Sequence, residues 1–161
     1  MTVERVLPHA LEAEKAVLGA ILVSNETGPI AVSRLRPQDF FRAAHGKIFA
    51  TIQELFAVSV AVDVITLKAA LARAGVLDEV GGPAYLASLL DGVPRASNVE
   101  CYSAIVLEKA RARALIVEAN RLLTAAYEHE RPAAELADEA VSALSGLLGS
   151  GQSDVVSAGA A

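Results

Sequence analysis

From Asn98 to Tyr127 the chain runs for thirty residues without a glycine or a proline. At 1.5 Å per residue that stretch makes about 45 Å of continuous helix, too long to be enclosed in a small globule. Ser97 with Glu100 has the form of a capping box at its start, a hydroxyl for the third amide and a carboxylate returning to the cap amide. Ile105, Ala112, Ile116, Ala119, Leu123 and Ala126 recur at heptad-like steps and predict an apolar seam. Arg131-Pro132 interrupts the run, and Leu136, Ala140, Leu144, Leu147 and Leu148 form a second stripe opposite Asp138, Glu139, Ser142 and Ser145. Two amphipathic helices joined by a short polar turn predict an antiparallel hairpin.

The preceding residues read as shorter helices. Residues 11 to 23 carry Ala13, Ala16, Val17, Ala20 and Ile21 on one stripe, ended by Ser24, Asn25 and Gly28-Pro29. Residues 43 to 57 repeat the pattern with Ile48, Phe49, Ile52, Leu55 and Phe56. Asp63 is a candidate N-cap for a helix with Val64, Leu67 and Leu71 inward, stopped at Gly75. After Gly81-Gly82, Pro83 opens a helix whose face is Tyr85, Leu86, Leu89 and Leu90. Alanine and leucine dominate and tryptophan is absent, so the expected fold is all-α: a compact helical head over 1–97, a long antiparallel hairpin over 98–149, and a flexible linker or terminus over 150–161.

Several function classes are disfavoured by the same residues. The net charge is −5, which denies the chain the broad positive field behind non-specific nucleic-acid affinity. The longest apolar run, Ala16 to Val23, is eight residues, against about 20 for a membrane span. Glu4, Glu12 and Glu14 stand where a secretory leader would be cationic, so a cytoplasmic chain is expected. The single cysteine, Cys101, excludes an internal disulfide and reads as inert packing. Gly46-Lys47 lacks the first glycine and the following hydroxyl of a phosphate-binding loop, with Phe41 and Ile48 in those places. His9, His45 and His129 are isolated and read as cap, surface or packing residues, not metal ligands. Glu12 and Glu14 read as carboxylates favoured by a helix N-terminus, and Glu108, Lys109, Arg111 and Arg113 as a solvated face. No catalytic, cofactor-binding or metal-binding set emerges.

Leu7-Pro8-His9-Ala10-Leu11-Glu12-Ala13-Glu14, running into Ala16-Val17-Leu18-Gly19-Ala20, resembles the opening of the N-terminal domain of bacterial replicative DNA helicases of the DnaB family. Later landmarks follow in the family's order: Asp39-Phe40-Phe41, His45-Gly46-Lys47-Ile48-Phe49, Asp63-Val64-Ile65-Thr66, Gly81-Gly82-Pro83-Ala84-Tyr85-Leu86 and Pro94-Arg95-Ala96-Ser97-Asn98. Ala10 departs from the family's usual capping residue, which should cost the first helix about 1 kcal/mol. The resemblance implies a collar domain without ATPase activity of its own. ATP and magnesium would belong to a motor domain beyond the tail. It implies self-assembly as a dimer, trimer of dimers or hexamer, a docking surface for primase, a helicase loader as a further partner, and weak or no direct nucleic-acid binding.

A hairpin of this length buries its leucines incompletely against one partner helix, so a second subunit is the natural completion. Leu115, Leu122, Leu136, Leu144 and Leu147 are the candidate oligomer or partner interface. The pattern does not separate those packing inside the hairpin from those packing between subunits. The alternative is a freestanding phage or plasmid adaptor of the same fold that binds a helicase or primase.

Overall fold

A computed structural model describes residues 5–149; the linker expected over 150–161 lies outside them. All regular structure among the described residues is helical: α1 (Leu11–Val23), α2 (Gly28–Arg34), α3 (Ala43–Ala57), α4 (Val64–Arg73), α5 (Gly82–Asp91), α6 (Val99–Glu128) and α7 (Ala133–Gly149), with short 3-10 turns before α2, α3 and α6. No helix among these residues is long and apolar enough to cross a membrane. The chain divides into two compact units, Met1–Ala110 and Arg111–Ala161. The division falls within α6 because its first turns bury Val99, Ser103 and Val106 with the head.

In the first unit α1 is the central element. Val17, Leu18, Ala20 and Ile21 lie in one apolar cluster with Ile48, Phe49 and Ile52 of α3, Leu67 and Leu71 of α4, and Leu86 and Leu89 of α5. A helix apolar nearly all round is one that must be enclosed on several sides. Ala10 occupies the N-cap of α1 without a side-chain acceptor, as the residue type requires. Gly19 is where α5 comes closest: a β-carbon there would collide with the Leu89 carbonyl oxygen and the Val93 side chain.

The loops hold their places through specific side chains. Asp63 caps α4, accepting the Thr66 N–H at 2.8 Å while the Thr66 hydroxyl accepts the Asp63 N–H at 3.0 Å. Gly75 ends that helix at φ +74°, the left-handed conformation that favours glycine. Asn25 clamps the backbone of Val62: its carbonyl oxygen accepts the Val62 N–H at 2.7 Å and its amide donates to the Val62 C=O at 2.5 Å.

Four local expectations are corrected. Gly28-Pro29 does not merely end α1; it opens α2, with Pro29 in the first turn where a missing N–H costs nothing. Leu90 is exposed, since Leu86 and Leu89 take the inward positions of α5. Ser97 falls inside the 3-10 turn Ala96–Asn98, and Glu100 pairs with Arg34 instead of completing a capping box. Cys101 is exposed, not packed, because it sits about 200° around the helix from Val99.

Two substitutions test this packing by thermal melting. Gly19→Ala gains helix propensity but forces α1 and α5 apart, and should destabilise by about 1–3 kcal/mol. Ser103 is fully buried with its hydroxyl unpartnered, so Ser103→Ala should leave stability unchanged or raise it by about 1 kcal/mol.

Candidate interaction surfaces

The head holds one polar cluster below its surface. Glu14 of α1, 1% exposed, and His45 of α3, fully buried, are joined at 2.6 Å between Oε2 and Nδ1. The other carboxylate oxygen accepts the Phe41 N–H at 2.6 Å, and Oε2 also accepts the Arg42 N–H at 3.4 Å. His45 Nε2 meets the Tyr85 hydroxyl of α5 at 2.6 Å, and Arg42 Nη1 donates to that hydroxyl at 3.1 Å. The Arg42 guanidinium lies 4.7 Å from the Tyr85 ring centroid.

Burial, the largest single influence, pushes the Glu14 carboxyl up. The hydrogen bonds from His45 and Phe41, the charge interaction with His45 and the Arg42 amide together outweigh it and hold the group below its usual range. Burial likewise raises the Tyr85 phenol, against the pull of Arg42. The ionised Glu14 accepts from His45 Nδ1, while the Tyr85 hydroxyl accepts from Arg42 and shares a second hydrogen bond with Nε2. The cluster joins α1, α3, α5 and the 41–42 loop, so its role is to fix the head.

Glu14 and His45 are thus more than the terminal carboxylate and solitary histidine expected of them. Their positions carry a signal: Glu14 is in helical register with Val17, Leu18 and Ile21, and His45 with Ile48, Phe49 and Ile52. Polar residues at core positions need buried partners. Among the described residues no three His, Cys, Asp or Glu side chains come together as a metal site.

In the second unit, ions join the two helices. Arg121 of α6 grips Glu118 through two bonds of 3.0 and 2.6 Å and reaches Glu139 of α7 at 3.0 Å; Arg131 at the turn takes the other Glu139 oxygen at 2.7 Å. Residues 121 and 139 would lie about 27 Å apart on one straight helix, so this contact records the chain reversal. His129, at φ 52°, ends α6 in the left-handed conformation. Arg121 lowers the Glu118 carboxyl, and Arg131, with Arg121, lowers Glu139.

The candidate leucines separate around this clasp. Leu136 is buried, with Ala140 beside it, and offers little surface. Leu122 and Leu147 are half-buried. Leu115 and Leu144 are exposed. The predicted seam of α6 lies outward for most of its length. Ile105, Ile116 and Leu123 are exposed, Leu123 by 55%, and Ala119 and Ala126 are exposed with them. The less exposed side of α6 in this unit instead runs through Ala114, Glu118, Arg121, Leu122 and Ala125. Tyr127 extends the outward stripe at 83% exposure, and Val141, Leu144 and Leu148 make another on α7.

The model of the DnaB-like helicase N-terminal domain matches residues 6–108. The chain belongs to this family. The matched span contains the whole Glu14–His45–Tyr85 cluster and stops short of Arg111, so family identity is carried by the head. The replicative DNA helicase DnaB of Geobacillus stearothermophilus is 42% identical over 137 residues, covering 85% of this chain and 30% of the helicase. That of Haemophilus influenzae is 43% identical over 120 residues, covering 74% and 26%. The chain spans less than a third of the curated relatives it matches. Among solved structures, the N-terminal domain of DnaB helicase from Mycobacterium tuberculosis superposes with a TM-score of 0.80 at 35% identity, covering 88% of this chain and 99% of that one. A DnaB-like replicative helicase, described with its interactions with primase, superposes at 0.68 with 29% identity, covering 86% of this chain and 31% of that one.

For this family member the cluster predicts a defined acid response. Glu14 has a lowered carboxyl in the folded state, so its contribution is complete above the ordinary glutamate value of 4.5 and is lost as pH falls below it and through the folded value. Glu14→Gln should cost about 1–3 kcal/mol at neutral pH and flatten the loss of stability as pH falls below 4.5. Denaturant melts of both proteins across that range check it. An equally steep acid loss in the variant would assign the response to other carboxylates.

Proposed function

We propose that this chain is the N-terminal collar domain of a hexameric replicative DNA helicase, where it mediates subunit assembly and offers a docking surface to primase. The observation that carries the proposal is the outward apolar stripe of the second unit. Its ion clasp and buried Leu136 account for cohesion within the hairpin, while Ile116, Leu123 and Tyr127 of α6 and Val141, Leu144 and Leu148 of α7 remain on the surface. Apolar side chains in such a row are completed by a second protein surface. A second copy would cover them in a dimer, and dimers would close further into a trimer of dimers or a hexamer. The similar helicase described with primase supports the docking half of the reading.

The domain itself performs no ATP hydrolysis in this proposal. Gly46 and Lys47 lie inside α3, where backbone amides serve the helix, and Lys47 pairs with Glu79. ATP, magnesium and the main grip on DNA would belong to a motor domain in the whole helicase. The net charge of −5 agrees with weak or absent nucleic-acid binding by this domain. A loader would be a further partner, and the setting would be the cytoplasm.

Light scattering across a concentration series tests assembly. A dimer or hexamer of the 16.7 kDa chain is expected. Leu123→Asp should weaken association at least about tenfold, roughly 1.4 kcal/mol, while leaving the melting of the head unchanged. A strict monomer at high concentration, or a variant that assembles as before, would overturn the proposed pairing surface. Titration with primase tests docking separately, and absence of binding to the assembled domain would remove that half.

A further inference from the structure

We draw no further inference here: the strongest candidate, the apolar groove between α2 and α3 walled by Pro29, Val32, Phe56 and Ala57, lies open on the head and nothing in the structure shows what covers it.

Discussion

A carboxylate taken out of water must be met by donors in fixed places, and the head is arranged around that demand at Glu14. Its partners come from three directions: the His45 ring on α3, the amides of Phe41 and Arg42 in the loop before it, and, through the histidine, the Tyr85 hydroxyl on α5. Apolar packing of α1 against its neighbours is tolerant of small rotations. A charge with short directional bonds is not. The cluster therefore selects one relative setting of α1, α3 and α5 from the several that aliphatic side chains could accommodate, and the close approach at Gly19 lets α5 reach it.

The hairpin unit reverses the usual arrangement of a solvated helix pair. Its ions, Glu118, Arg121, Arg131 and Glu139, work across and around the turn, while a row of large apolar side chains faces outward. Exposed ion pairs are worth little in net stability but require particular geometry. They suit the task of holding register between two helices whose remaining apolar side chains stay on the surface. In the proposed collar, cohesion and association would thus draw on different side chains.

Much of this organisation was legible in the residues. Helical periodicity gave α1 and α3 their limits, Asp63 and Gly75 marked both ends of α4, and the glycine- and proline-free run marked α6. The ordered motifs from Leu7 onward gave the family. What escaped depends on pairing across the chain. Glu14 and His45 are thirty-one residues apart, and each alone has an ordinary explanation, so only their shared core register hinted at a buried pair. α2 escaped because seven residues beginning Gly-Pro look like a stop before they look like a start. The direction of the α6 seam escaped for another reason. Periodicity shows that apolar residues share a face, but not what that face meets, and here Glu118, Arg121 and alanines share the inner side with Leu122.

Asn25 carries a different kind of constraint. Its side-chain amide presents a donor and an acceptor in one plane, the same pair of groups that a peptide unit offers, and it uses both on Val62 as a neighbouring strand would. Aspartate lacks the donor, serine cannot span both groups, and glutamine places the amide one methylene too far out. In an aliphatic-rich domain, where many core positions exchange leucine for isoleucine or methionine at modest cost, mutational tolerance should therefore fall most sharply at a half-buried loop residue. The narrowest chemical identity in the head need not lie in its core.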